Sequence, residues 1–177
     1  MMFSREAIVA EARTWLGVPW RHQGWRRTTG CDCVGLVRGV GHALGLIDAS
    51  DENPANARFI GYAREPDPAL MRDALDLHLV AIERRPDRAG GVGEIAGPGD
   101  VLWLRFAGGP RHLAILAQPA PGLDPGSEHV IHALESVGKV VEHRLDARWA
   151  QRCIAAWRFP GTLGLSTPRS QNTEPEG

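Results

Sequence analysis

The chain has 177 residues, a formal net charge of −1 and a sequence pI near 6.7. This length suits one domain with a core of its own, and the balanced charge gives no general attraction to nucleic acid or to an anionic membrane. Three cysteines are too few, and an odd number, for a disulfide scaffold. No run approaches the about 18 apolar residues of a membrane span, and the N-terminal residues lack the apolar core of a signal peptide. We expect synthesis in the cytoplasm without a signal peptide, no nucleic-acid partner and no membrane insertion.

The first half of the chain carries helix signals. Ser4 can cap a first helix that Gly17 and Pro19 stop, with its apolar side formed by Ile8, Ala12, Trp15 and Leu16. A second helix is predicted from near Asp32 to Gly45, with Val37, Val40, Gly41 and Leu44 at helical spacing. Residues 48–66 are expected to be loop. Asp67 then caps a third helix that has Pro68 at its first position.

Strand signals follow in the second half. The run "LVAIE" is a predicted strand, and residues 84–99 are predicted to be a surface connection because they are rich in Gly, Pro and charge. Then come the β-type runs "DVLWLRF", "HLAILAQ", "HVIHALE" and "KVVEHRL", with "IAAWRF" closing the series. Helices followed by strands predict an α+β fold in which N-terminal helices pack on a C-terminal antiparallel sheet. Residues 1–160 would form the domain, and the polar tail 161–177 cannot supply a core.

The most informative local sequence is "TTGCDCVGLVRGVGHALGL", residues 28–46, with cysteines at positions 31 and 33. Zinc sites usually use C-x2-C pairs, and a disulfide between Cys31 and Cys33 would close a small strained ring. A thiol at a helix N-terminus is a third interpretation, since free backbone N–H groups there favour thiolate. Cys33 has that place. A buried apolar cysteine remains the alternative.

A nucleophilic thiolate needs a base and a group that orients the base. His112 begins "HLAIL" after a turn, so we expect its ring at the rim of the sheet. His132 lies inside the apolar strand "VIHAL", where an unpaired polar group costs about 1 to 3 kcal/mol, and it therefore needs a partner. Each could instead be a structural histidine bonded to a carbonyl. Surface or turn positions are predicted for His22, His42, His78, His129 and His143.

Four short motifs in order carry a resemblance to a known family. They are "DCVGL" at residues 32–36, "PGDV" at 98–101, "HLAIL" at 112–116 and "IHA" at 131–133. The set resembles the NlpC/p60-like cell-wall cysteine peptidases, whose topology is papain-like, with Val34 where the family has serine. The valine and the ending "VVEHRLDARW" are similar to the branch carried on tails of phages and gene transfer agents.

The resemblance implies roles for individual residues. Cys33 would be the nucleophile, His112 its base and His132 the residue that orients His112. The oxyanion would be met by the backbone N–H of Cys33, assisted in many members by the tyrosine of a Pro-Tyr dipeptide, which here is Pro19-Trp20. Trp20, Trp25 and Asp32 are expected to contribute to substrate binding, Asp32 also as the helix cap. The resemblance implies no cofactor and no metal.

The activity implied is hydrolysis of peptidoglycan stem peptides at a bond of the D-glutamate to diaminopimelate type. The partners implied are the peptidoglycan peptide and proteins of a phage-like tail or baseplate. The protein would be associated with a virion or tail and act in the periplasm or cell wall, with residues 161–177 as a docking segment anchored by Leu163 and Leu165. Three alternatives stay open: an acyltransferase using the same three residues, a catalytically weak structural component of a tail tip, and a zinc amidase using His112, His132 and a carboxylate.

Overall fold

The structure, a computed structural model, describes residues 3–48, 50–82, 96–120, 122 and 127–162. Of the predicted surface connection at residues 84–99, residues 84–95 lie outside the described residues. The predicted docking segment also lies outside them from position 163 onward, together with Leu163 and Leu165. Among the described residues, no helix has both the length and the apolar character needed to cross a bilayer.

The three predicted helices are present with their predicted caps. Side chains of Ser4, Asp32 and Asp67 accept hydrogen bonds from the first-turn N–H groups of the helices that follow them. The helices are α1 (Arg5–Arg13), α2 (Cys33–Ala43), α3 (Pro68–His78) and the short α4 (Ala147–Ala150). The sequence analysis did not predict α4, nor a 3-10 helix at Pro54–Phe59 within the expected loop.

The strands form one large sheet and one small hairpin. The hairpin pairs β1 (Trp25–Arg26) with β2 (Gly30–Cys31). The six strands of the large sheet are β3 (Val80–Ile82), β4 (Val101–Phe106), β5 (Gly109–Ala117), β6 (His129–Leu134), β7 (Lys139–Arg144) and β8 (Cys153–Arg158). Their order is β3-β8-β4-β5-β6-β7 and every pair is antiparallel. The predicted α+β fold, with early helices on a later antiparallel sheet, is confirmed.

Alternation along the strands gives the sheet two apolar faces. One face packs on the helices, where Leu36 of α2 joins Ile115 and Ile131 in a buried cluster. The other face carries Leu102, Leu104, Ala114, Leu116 and Val130, and α4 covers part of it through Trp149. Because side chains alternate between faces, each strand residue is assigned to one face by its position. Leu16, predicted on the apolar side of α1, is 43% exposed, since the helix already ends at Arg13.

A buried carboxylate fixes the start of β4. Asp100 is fully buried and accepts two hydrogen bonds from Arg158 of β8, at 2.9 and 3.0 Å. It also lies 3.1 Å from the Arg5 guanidinium of α1 and accepts from the Gly97 N–H at 2.9 Å. Asp100, in the turn before β4, therefore ties the first helix to the sheet.

Candidate active site

The first turn of α2 is held by Asp32. One carboxylate oxygen of Asp32 accepts from the Gly35 N–H at 2.8 Å, as expected of a helix cap. The other accepts from the Gln23 N–H at 2.7 Å and from the Tyr62 hydroxyl at 2.7 Å. Gly35 allows the preceding loop to pack on this turn, because a Cβ at that position would lie 1.7 Å from the Gly24 carbonyl oxygen. Cys33 thus begins a helix whose start is fixed from three directions.

The Cys33 thiol contacts strand β5 immediately before His112. Its sulfur lies 4.0 Å from the carbonyl oxygen of Arg111. Arg111 is the extra residue of a β-bulge, because Leu104 pairs with His112 while the next residue of β4, Arg105, pairs with Pro110. Bulges often occur beside active sites, where they redirect neighbouring groups. Here the bulge presents the Arg111 carbonyl to the thiol.

The protonation state of Cys33 differs from the expected thiolate. Burial, followed by the negative charge of Asp32, raises the pKa of the Cys33 thiol to about 12. Hydrogen bonds from backbone N–H groups at Leu113, Val34 and Cys33 lower this pKa, but they are the smaller causes. The thiol is therefore neutral near pH 7 in this structure, and the helix N-terminus does not by itself make a thiolate.

His112 and His132 are directly bonded, as the sequence analysis required of a buried His132. Nε2 of His112 lies 2.7 Å from Nδ1 of His132. Leu113 belongs to the helix-side cluster and Ala114 to the opposite one, so alternation places the His112 ring on the opposite face, where it contacts the Phe106 ring at 5.1 Å. Burial lowers the pKa of His112 to about 4 and that of His132 to about 3. Both rings are therefore neutral near pH 7.

Cys33 and His112 line one cleft of about 310 Å³. Because Nε2 of His112 is used by His132, Nδ1 is the ring nitrogen that remains for the thiol. Besides His112, the aromatic side chains in the cleft wall are Trp20, His22, Tyr62 and Phe106. Besides Asp32, the charged ones are Arg64, Glu65, Arg111 and Glu135. The charged groups form two ion pairs, Arg64 with Glu135 and Arg111 with Glu65.

Of the three predicted substrate-binding residues, two lie at this cleft. Trp20 and Asp32 line it, and Trp20 stacks on His22 with ring centroids 6.4 Å apart. Trp25 instead lines a neighbouring apolar cavity of about 110 Å³, where the guanidinium groups of Arg26 and Arg38 lie 4.4 and 4.1 Å from its ring. Val34 and Tyr62 line both spaces and so separate Trp25 from the cleft.

Three residues of the site were not found from the sequence. His143 was expected at the surface or in a turn, but it lies in β7 with Nε2 2.9 Å from Nε2 of His132. Tyr62 lies in a loop and His22 in the segment before β1, and their rings contact at 5.5 Å beside Asp32. Tyr62 is the only tyrosine in the chain, a signal that could have drawn attention to it.

The other cysteines lie away from this arrangement. Cys31 is fully buried in the helix-side core, and burial raises its pKa to about 12. Cys153 is partly buried in β8, and burial raises its pKa to about 11. In the described part of the chain, no three His, Cys, Asp or Glu side chains are grouped so that they could hold a metal ion. His112 and His132 direct nitrogens at each other, not at a common point with a carboxylate.

A cysteine at a helix N-terminus is thus set against an antiparallel sheet that carries His112 and His132 on adjacent strands. Solved structures share this fold. An NlpC/P60 family protein from Bacillus cereus ATCC 10987 matches with a TM-score of 0.56 and 16% identity, covering 90% of this chain and 41% of that one. A protein from Staphylococcus aureus described as similar to lipoprotein, NLP/P60 family, matches with a TM-score of 0.50 and 21% identity, covering 88% and 41%.

The chain thus spans about two fifths of the length of these two structures. No protein-family model matches the sequence, and no curated protein matches it. At these identities the likeness establishes the fold. It leaves activity and substrate to be argued from the residues of the cleft.

Proposed function

We propose that the protein is a cysteine endopeptidase that hydrolyses peptidoglycan stem peptides at a bond of the D-glutamate to diaminopimelate type. The observation that carries the proposal is the position of Cys33. Its thiol contacts the carbonyl that precedes His112, in a cleft that His112 also lines, and His112 is bonded to His132. A nucleophile, a base and a group that orients the base are the components of covalent peptide hydrolysis.

In the proposed reaction, the Cys33 sulfur attacks the peptide carbonyl carbon while His112 accepts the thiol proton at Nδ1. The C–N bond then breaks, His112 returns the proton to the leaving amine, and a thioester remains on Cys33. Water, deprotonated by His112, attacks the thioester and releases the acid and the thiol. The backbone N–H of Cys33 at the start of α2 is the proposed donor to the oxyanion.

Because the pKa of Cys33 is raised and that of His112 is lowered, the resting pair is a neutral thiol and a neutral imidazole. Proton transfer is therefore proposed to accompany attack on the substrate, not to precede it. Displacement of water by the substrate strengthens the interaction of the new imidazolium with the developing oxyanion. This favours a general-base mechanism over a preformed ion pair.

The charges around the cleft suit a peptide that carries both signs. A stem peptide with D-glutamate and diaminopimelate presents carboxylates and an amine. Arg64 and Arg111 could receive the carboxylates and Glu65 and Glu135 the amine, since all four line the cleft and their present ion pairs are exposed at least in part. Exposed ion pairs are weak, about 0 to 1 kcal/mol, and can exchange for substrate contacts.

We propose further that a phage-like tail carries the enzyme to the cell wall. The support is the motif resemblance, Val34 after the nucleophile and the ending "VVEHRLDARW". The test is mass spectrometry of purified particles from cells that produce the full chain or a chain ending at residue 160. The proposal expects the full chain in the particles and the shortened chain absent. Equal recovery would refute docking through residues 161–177.

The hydrolase proposal is tested by digestion of purified muropeptides, with products identified by mass spectrometry. The full chain should release fragments cut between D-glutamate and diaminopimelate. Cys33→Ala should release none. The matched control is Cys31→Ala, which removes a buried thiol two residues away and should retain most activity. Chelation should leave the rate unchanged; inhibition by a chelator, reversed by zinc, would favour the amidase alternative.

Two other outcomes separate the remaining alternatives. Products in which an added alcohol or amine replaces water would identify an acyltransferase that uses the same residues. A folded wild-type protein that cuts no muropeptide would instead support a structural component of a tail tip. Equal loss in Cys33→Ala and Cys31→Ala, with both folded, would contradict the assignment of Cys33 as the nucleophile.

A further inference from the structure

Three histidine rings form a hydrogen-bonded row that runs from the cleft to the edge strand of the sheet. Nε2 of His112 lies 2.7 Å from Nδ1 of His132, and Nε2 of His132 lies 2.9 Å from Nε2 of His143. The row ends on the backbone, because Nδ1 of His143 lies 2.8 Å from the carbonyl oxygen of Arg144. His143 lies in β7, the last strand of the sheet.

The sheet register produces this row. His132 of β6 pairs with Val141 of β7, and His143 pairs with Val130, so His132 and His143 are diagonal neighbours on one face. The Trp149 ring of α4 covers both, with centroids 4.9 Å from His132 and 4.7 Å from His143. His132 is fully buried. Packing therefore holds the His132 ring away from water, so its hydrogen-bond partners are the two neighbouring histidines.

The carbonyl at the end sets the direction of every bond. A carbonyl oxygen only accepts, so Nδ1 of His143 carries a hydrogen; in the neutral form of His143 this is the only N–H of the ring, so its Nε2 accepts. His132 must then donate from Nε2 and accept at Nδ1. His112 consequently donates from Nε2, and its Nδ1 is left without a hydrogen. That is the form of His112 that can accept a proton from the Cys33 thiol.

His132 alone does not select this form. Its neutral ring has one donor and one acceptor, so without an anchored neighbour it can bond His112 in either direction. In the opposite direction, Nδ1 of His112 would carry the hydrogen and could not act as the base. We propose that His143 is a positioning residue that sets the tautomer of His112 through His132. The catalytic consequence of this proposal rests on the hydrolase function proposed above. The assignment of the tautomer does not depend on that function.

The first test is imidazole ¹⁵N NMR of labelled protein at about pH 8.5, well above the ordinary pKa of histidine. This measurement distinguishes protonated from unprotonated ring nitrogens. In the wild type, His112 should be protonated at Nε2 and unprotonated at Nδ1. His143→Phe keeps a ring against Trp149 but removes both nitrogens, and His112 should then populate both tautomers. His143→Glu keeps oxygens that only accept from His132 when ionised and should restore the wild-type form. Lys139→Ala, exposed on the same strand, is the matched control.

The second test is kinetic. His143→Phe should lower kcat by the same factor by which the population of His112 with a free Nδ1 falls in the spectrum, with KM unchanged, because His143 does not line the cleft and the wrong tautomer removes the base. His143→Glu should recover most of kcat. Loss of kcat in both variants together with unchanged His112 tautomers would overturn the proposal, as would wild-type kcat and tautomer in His143→Phe.

The two readouts keep this proposal separate from the hydrolase proposal. The tautomer of His112 can be measured whether or not the protein cuts muropeptides, so an inactive protein does not affect the NMR result. If His143→Phe does not fold, the wild-type spectrum decides alone. A hydrogen on Nδ1 of His112 in the wild type would overturn the assignment.

Discussion

Burial of neutral histidines makes the stability of this protein sensitive to mild acid. His132 is fully buried and its pKa is lowered to about 3, from an ordinary value of 6.5. The unfolded chain therefore binds a proton at this residue below about pH 6.5, whereas the folded chain does not. Stability from this residue is complete above that pH and is lost as the pH falls toward the folded pKa. His112, whose pKa is lowered to about 4, acts in the same direction.

The magnitude follows from the shift. Each pH unit between the unfolded and folded pKa values changes the free energy of unfolding by about 1.4 kcal/mol per group. At about pH 5, some 1.5 units below the unfolded value, His132 alone should remove about 2 kcal/mol. A domain of this size has roughly 5 to 15 kcal/mol of stability in total, so the loss is easily measured.

The assay is urea denaturation of the wild type and of His132→Gln at about pH 7.5 and about pH 5. The variant keeps a donor and an acceptor at position 132 but has no group to titrate. The difference in the free energy of unfolding between the wild type and His132→Gln should therefore become about 2 kcal/mol smaller at the lower pH. Val137→Ala, at an exposed side chain that does not titrate, is the control and should show a constant difference. Parallel pH profiles for the wild type and His132→Gln would refute the reasoning.

Three further predictions concern the groups around the site. Asp100→Asn removes the charge that faces two arginines and should lower the free energy of unfolding by about 3 to 5 kcal/mol, measured by urea denaturation; a loss below 1 kcal/mol would contradict the buried ion pairs. Tyr62→Phe removes a hydrogen bond to the Asp32 carboxylate and should cost about 1.5 to 3 kcal/mol in the same assay, and an unchanged midpoint would mean that this bond contributes nothing. Alkylation of Cys33 by iodoacetamide, followed by peptide mass mapping, should accelerate about tenfold per pH unit from neutral pH to about pH 10, because its pKa is raised to about 12; a fast plateau near pH 7 would reveal a preformed thiolate.

Much of the fold was accessible from the sequence because its signals are local. Ser4, Asp32 and Asp67 are side chains that can satisfy first-turn N–H groups, and each proved to be a helix cap. Alternating apolar residues marked the strands of the large sheet. The 3-10 helix at Pro54–Phe59 and helix α4 are only six and four residues long, too short to show a helical period.

The parts of the site that the sequence did not predict depend on register and on loops. His143 meets His132 because β6 and β7 pair in one register; a shift by one residue would turn His143 to the other face. Tyr62 reaches Asp32 from 30 residues away, from the loop that follows the 3-10 helix. The nearness of Trp25 to Cys33 in sequence predicts a position at the cleft. The β1-β2 hairpin instead directs the Trp25 side chain to the adjacent cavity.

Burial, together with the Asp32 carboxylate that orders the start of α2, makes Cys33 dependent on a base. Asp32 accepts a hydrogen bond from the Gly35 N–H at the helix start, and in doing so it places a negative charge where the free helix terminus would have offered a positive potential. Burial and that charge together outweigh the backbone donors and keep the thiol protonated. A protonated thiol cannot attack without giving up its proton, so the reaction proposed for this cleft needs an acceptor nitrogen on His112 from the outset. The direction of the hydrogen bonds through His132 to His143 therefore matters more here than in a site with a preformed thiolate, where the proton has already moved.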